Sequence, residues 1–424
     1  NTQNSLLKKS TNKHAIESFD KITIDDYREA INEGVAQQKA NIKAITENTS
    51  KPTFLNTIVA LDKSGEALSR AVGTFSPLSS SNSNKDLQAL DKEISPILSA
   101  HSDDIYMNPE LFKRVKQVYD EADSTKLNKE ELKTLENIYK RFERSGANLS
   151  DADKEKLRQL NQEISALQLQ FSQNLLYETN NTYVVVDKLS DNAGLPQSDI
   201  ERASAMAAAQ GQPDKWMFNM QRASCNPVLQ YCTNRDLRRR VYEAYCNRGY
   251  QGNQYDSREI CAKLGKLRLE RANLMGFKNA AEQILDTRMA KTPQAVYNLL
   301  DQIWTPAVAK ANEELDDIRK EMQKDGLTCE PEGWDYRFYS ERARKAKFNF
   351  DENQLSEYLE KNNRPERIDM RSYERQGIDL VPTVHLGPAA SEMENRGEVT
   401  FLGTLNRDIV KFNSVRKHLR KALA

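Results

Sequence analysis

One run of apolar residues constrains the fold of this chain more than any other feature. After Ser150, Leu157, Leu160, Ile164, Leu167, Phe171 and Leu175 recur at intervals of 3, 4, 3, 4 and 4 residues. Such intervals keep side chains on one stripe of a helix and come close to a coiled-coil seam, so the helix is expected to pack along another over several turns. A strand cannot use this pattern, because its side chains change face at every residue. Ser150, with Asp153 three residues on, has the form of a helix N-cap. The same period recurs before it. Leu111, Phe112, Val115, Val118 and Tyr119 make one stripe in 109–122, where Pro109 suits a first helical position. Leu132, Leu135, Ile138, Tyr139 and Phe142 make another in 129–144.

Two segments depart from it. Thr182–Asp187 (TYVVVD) and Lys215–Met220 (KWMFNM) are β-branched or aromatic and bounded by polar turn residues. They predict a small β-hairpin with a helical excursion, 191–210, between its strands. Helices resume from Thr233 to about Gly249 and from Ser257 to about Gly276. Thr292-Pro293 opens a helix that runs to about Gly326, with a kink expected at Pro306. One more amphipathic helix is expected over 351–361. Ser79–Asn84 (SSSNSN) reads as a loop.

The chain is 38% hydrophobic and 29% charged, with a mean hydropathy of −0.77, a composition of long, well-solvated helices. Its 424 residues suffice for two or three domains. With 62 basic and 62 acidic residues, the chain as a whole has no field that would hold nucleic acid. No stretch approaches the roughly 20 apolar residues that cross a bilayer, so no membrane partner is expected. The five cysteines, Cys225, Cys232, Cys246, Cys261 and Cys329, do not have the spacing of a disulfide framework or of a zinc site. Reduced thiols predict a cytoplasmic location, or a periplasmic one if a leader was removed before Asn1.

Residues 15–361 resemble the amino-terminal half of the thimet-oligopeptidase family, in particular the bacterial peptidyl-dipeptidases, also called dipeptidyl carboxypeptidases. The likeness is carried by PTFLNTIVALDKSGEALSR (52–70), AHSDDIYMNPELFKRVK (100–116), LNQEISALQLQFSQN (160–174), TNRDLRRRVYEAYCNRG (233–249) and MAKTPQAVYNLL (289–300). The resemblance implies a mostly α fold: a multi-helix lobe of a channel-shaped protein, with the small β-hairpin near 182–220. It implies zinc as cofactor and short peptides as substrates for the intact family. Residues 362–424 form a second region. There 370–418 resemble a segment of MobA/MobL-type plasmid mobilisation relaxases, in MRSYERQGIDLVPTVHLGPAASEMENRG and LNRDIVKFNS. Tyr373 and His385 lie inside that segment and inherit no catalytic role. The tail ends in a basic helix, 404–423.

The chemistry that the first resemblance calls for is not in these residues. Zinc peptidases of this type place two histidines at i and i+4 on one helix, with a glutamate beside the first as general base. The four histidines here, His14, His101, His385 and His418, are followed by Ala15, Ser102, Leu386 and Leu419. No two are four apart. No catalytic, cofactor-binding or metal residue is therefore assigned. His101 is expected to be a hydrogen-bonded residue just before a helix, and His14 to face solvent. Cys246 lacks a histidine base. Glu259 with Glu270, and Glu313 with Glu314, are expected to be solvated helix faces. The expected protein is thus an incomplete, inactive peptidyl-dipeptidase-like chain with no metal of its own. Two alternatives are a non-catalytic peptide-binding module and weak nucleic-acid binding through the tail. A lobe deprived of its zinc-bearing partner is expected to expose an apolar face and to self-associate through it.

Overall fold

The computed structural model describes residues 4–12, 16–123 and 125–348, and the two-residue strands 368–369 and 398–399. By its internal contacts the chain divides into two units, Asn1–Phe338 and Tyr339–Ala424.

In the first unit most helices begin on caps written in the sequence. Helix α1 (Ile24–Thr46) starts with a capping box between Thr23 and Asp26. A wide, π-type turn at Phe54–Val59 starts with another, between Thr53 and Asn56, and leads through α2 (Ala60–Ser64) into α3 (Glu66–Ser81). Asn84 caps α4 (Lys85–Tyr106), and Asn108 caps α5 (Pro109–Asp120), with Pro109 in its first turn. Helix α6 (Lys129–Arg144) has a capping box between Asn128 and Glu131. The Ser150 side chain accepts from the Asp153 amide at the start of α7 (Asp151–Asn181). Each such cap satisfies amides that the first helical turn leaves without partners.

Packing follows the apolar stripes. Helices α1, α3 and α4 share a core of Tyr27, Ile31, Phe75, Leu87, Leu90 and Ile94. Gly34 sets the approach of α1 to α3: a Cβ there would stand 2.7 Å from the Leu68 Cα. The stripes of α5 and α6 meet in a second core holding Leu111, Val115, Leu135 and Phe142, with Tyr119 and Tyr139 stacked at 4.0 Å. The seam of α7 packs along α4 on one side and α11 (Arg258–Leu274) on the other, and its Leu160 and Ile164 are buried with Leu264 and Leu267. The seam therefore serves two neighbouring helices.

The hairpin forms as expected. Strand β1 (Tyr183–Val186) pairs antiparallel with β2 (Trp216–Asn219), with Tyr183 opposite Asn219 and Val186 opposite Trp216. A 3-10 turn at Leu189–Asn192 and helix α8 (Gln197–Ala209) lie between them in sequence. The inward face of the ribbon joins α9 (Arg222–Tyr231) and α10 (Arg235–Cys246) around Val184, Phe218, Cys225, Val228 and Leu237. Then come α12 (Ala280–Leu285), α13 (Pro293–Lys324) and α14 (Gly333–Phe348). Helix α13 starts on the Thr292 cap and continues through Pro306 without a break.

Two expectations need correction. Residues 79–81 belong to α3, so the expected loop shrinks to 82–84. His101 does not precede a helix; it lies inside α4, five residues from its end. In the second unit the described strands β3 (Ile368–Asp369) and β4 (Glu398–Val399) pair antiparallel. The helices expected at 351–361 and 404–423, and the boundary at 361/362, lie outside the described residues.

Candidate functional site

Among the described residues, those singled out for chemistry do not come together. His101 is buried on α4, its Nε2 2.8 Å from Gln38 Oε1 of α1. Burial and the nearby charge of Lys39 lower its pKa, with Asp104 opposing them. Asp103, two residues on, is buried and accepts from Asn161 Nδ2 at 2.9 Å. Burial lifts its carboxyl to about 6, against the Asn161 hydrogen bond and the charges of Arg158 and Arg271. Cys225 and Cys232 are buried, and burial raises both thiols. Cys246, Cys261 and Cys329 are exposed. Glu259 and Glu270 stand three turns apart on α11, and Glu270 pairs with Lys156 of α7 at 3.3 Å. Glu313 and Glu314 sit on the exposed middle of α13, where Glu313 pairs with Lys310 at 2.8 Å. His14, Tyr373, His385 and His418 lie outside the described residues.

Among the described residues no three His, Cys, Asp or Glu side chains form a group that could hold a metal ion.

The distinctive surface lies elsewhere, on α13. Tyr297, Leu299, Leu300, Ile303, Trp304 and Val308 are all exposed, Trp304 by 70%. At about 100° per residue they cover roughly half the circumference of the helix, a width that normally faces a core. Met289, just before the helix, is 99% exposed, and Ile284 of α12 is exposed as well. Only toward its C-terminal end does α13 bury residues, at Ile318, Glu321 and Met322.

A buried ionic anchor holds the chain that follows. Asp335, in the first turn of α14, is fully buried. It accepts from Arg235 Nε and Nη2 at 2.9 and 2.6 Å, from Arg238 Nη2 at 3.2 Å and from the Glu332 amide at 3.1 Å. Arg238, itself 1% exposed, also donates to the carbonyls of Trp334 and Cys232 and lies over the Phe338 ring at 4.1 Å. Burial alone would raise the Asp335 carboxyl. The hydrogen bonds and charge of Arg235, the Glu332 amide and Arg238 outweigh it and hold the group below its ordinary value. No local pattern in the sequence announces this anchor, since Arg235 and Asp335 are 100 residues apart.

Both the exposed stripe and the anchor fall within a stretch with known relatives. Residues 228–369 match the sequence model of Peptidase family M3. The chain is 36% identical over 363 residues to the dipeptidyl carboxypeptidase of Escherichia coli (strain K12), covering 85% of this chain and 53% of that protein. It is 34% identical over 356 residues to the dipeptidyl carboxypeptidase of Salmonella typhimurium, covering 84% and 52%. Oligopeptidase A of Haemophilus influenzae is 28% identical over 339 residues, covering 77% and 50%. The chain thus spans about half the length of these curated relatives. The mostly helical fold with the small antiparallel β1–β2 ribbon agrees with the M3 likeness. No helix among the described residues is long and apolar enough to cross a membrane.

Proposed function

We propose that this chain is the non-catalytic half of a peptidyl-dipeptidase-type zinc peptidase of family M3, forming part of the wall of a channel for short peptides and cleaving nothing alone. One observation carries this reading: the unpartnered apolar stripe of α13 lies within the M3-matched residues. A half-circumference of exposed apolar side chains on one helix marks a surface made for covering. The absence of H-E-x-x-H from the 424 residues supports the second part, because the two-histidine turn and its glutamate have no substitute among the four histidines present.

The test is cleavage of a short, unblocked peptide by the pure chain, with and without zinc and with a chelator. No product above the background of a heat-denatured sample is expected. Chelator-sensitive release of dipeptides would overturn the proposal.

For 370–418 we propose descent from a mobilisation relaxase, supported by Ser372-Tyr373 before Gln376-Gly377-Ile378-Asp379 and by Pro382-Thr383 before His385-Leu386-Gly387. No DNA chemistry is assigned to these residues.

A further inference from the structure

The connection between α12 and α13 holds a strained turn. Lys291 has φ 65°, and it is the one non-glycine residue with positive φ among the described residues. The Thr292 amide donates to the Ala290 carbonyl at 2.7 Å, across a single residue. An i to i+2 hydrogen bond around a residue at positive φ is a γ-turn of the rare, strained kind. A side chain at such a φ crowds its own backbone, so the turn persists only where its surroundings hold it. Here they do. Asp286, just after α12, is tied to Arg144 of α6 at 2.8 Å. Lys291 Nζ donates back to the Asp286 carbonyl at 3.3 Å, and the Thr292 hydroxyl caps α13 by accepting from the Ala295 amide at 3.2 Å.

Met289 stands between these anchors, and its side chain is 99% exposed. Met107, Met217, Met220 and Met322, by contrast, are buried. A lone exposed apolar side chain is ordinary. This one is held beside a strained turn, four residues before the helix that carries the exposed stripe, and α12 on its other side adds the exposed Ile284. Strain kept next to an apolar surface points to a residue placed for contact. Methionine suits such a contact, because its unbranched thioether adapts to an irregular apolar partner. It also brings a reversible chemistry. Hydrogen peroxide oxidises an accessible thioether: the O–O bond breaks, one oxygen passes to sulfur to give the sulfoxide, and the other leaves as water.

We propose that Met289 is a peroxide-sensitive switch on the joining surface of this chain. The occupant of that surface is the other half of a peptidyl-dipeptidase-type protein, since the chain spans about half the length of relatives to which it is up to 36% identical. As a thioether, Met289 is covered by apolar side chains of that half. As a sulfoxide it carries a polar oxygen into the same contact, and burying that oxygen without a donor is costly. Hydrogen peroxide therefore uncouples the two halves, and reduction of the sulfoxide by a methionine sulfoxide reductase restores them. The inference rests on the reading of the α13 stripe as a joining surface, and it adds the regulation of that surface.

The experiment treats the full chain with hydrogen peroxide and locates the sulfoxide by peptide mass mapping. Met289 should oxidise at least about tenfold faster than the buried Met217, Met220 and Met322, because oxidation follows exposure. Treated and untreated chains are then titrated by sedimentation with the zinc-bearing half of a dipeptidyl carboxypeptidase, whose folding is first checked by circular dichroism. Treatment should weaken the complex at least about tenfold, the size of one polar group buried without a partner. Sulfoxide reductase should reverse the loss. Met289→Leu should show the same affinity before and after peroxide, whatever its starting value, which assigns the effect to Met289 and not to another methionine. Oxidation of Met289 no faster than that of the buried methionines would overturn the switch and leave the joining surface standing. So would a treated parent that binds as well as the untreated one, or an equal loss in Met289→Leu. An untreated parent that does not bind the folded zinc-bearing half would overturn the joining surface itself, and the switch with it.

Discussion

Asp335 and Asp103 are both buried carboxyls, and they predict opposite responses to pH. The folded state holds Asp335 ionised between two guanidinium groups, so its carboxyl is low. Its contribution is present above the unfolded value near 4 and is lost as pH falls through the lower folded value. Asp335→Ala would leave Arg238 buried without its counter-ion, at a cost of about 3–5 kcal/mol. Asp103 is raised to about 6 by burial. The folded state therefore binds a proton more readily than the unfolded chain, and stability is lost as pH rises through about 6. Asp103→Asn should accordingly gain about 1–3 kcal/mol over the parent at pH 8 and nothing at pH 4. Urea midpoints across that range check both. A parent chain as stable as Asp103→Asn at pH 8, or an Asp335→Ala chain as stable as the parent, would refute the corresponding assignment. Little of this was legible in the sequence. Asp103 sits in a run of polar residues, and its burial depends on α7 and α11 arriving from more than fifty residues away. His101 was misplaced for a related reason: Pro109 and Asn108 mark the start of α5 clearly, but nothing equally strong marks the end of α4.

At the scale of the element the sequence speaks more directly. The caps at Ser150 and Thr292, the stripes of α5, α6 and α7, and the ribbon residues are local signals, and local structure follows them. What covers a stripe is a tertiary fact. The six exposed apolar residues of α13 and the buried ones of α5 each gather on one side of a helix, and sequence alone does not say which side is covered. On the reading proposed above, this exposed face is expected to pair with a second copy, since a two-fold axis through one apolar patch makes it complementary to itself. Leu300→Ser with Trp304→Ser removes two large side chains from the centre of the stripe. Light scattering at increasing concentration should show the parent growing toward a dimer or beyond and the double variant remaining monomeric. A parent that stays monomeric at several milligrams per millilitre would remove this prediction. Because both residues are exposed, the double variant should keep the parent's melting temperature as a monomer to within a few degrees.

For the molecule as a whole, the proposed function predicts that self-pairing and completion of a peptidase compete for the same face. The chain spans about half of relatives to which it is up to 36% identical, and on the proposed reading the other half of such a relative would carry a surface complementary to α13. A C₂ pair of α13 helices can bury little more than the two stripes themselves. The cognate half would meet the stripe together with Ile284 and Met289, which are exposed as well. Obligate interfaces of this apolar kind commonly bury more than about 2,000 Å², well beyond what one helix pair supplies. The zinc-bearing half of a dipeptidyl carboxypeptidase, expressed separately and mixed with this chain, is therefore expected to displace the self-associated form and give a one-to-one complex. That complex, and neither part alone, should release dipeptides from a short peptide in a chelator-sensitive way. Leu300→Ser with Trp304→Ser should weaken the complex at least tenfold by sedimentation and lower the recovered activity in proportion at limiting concentration. A complex that forms equally well with the double variant would show that α13 is not the joining surface. A tight complex without activity would place the defect in the wall of the channel, not in its assembly.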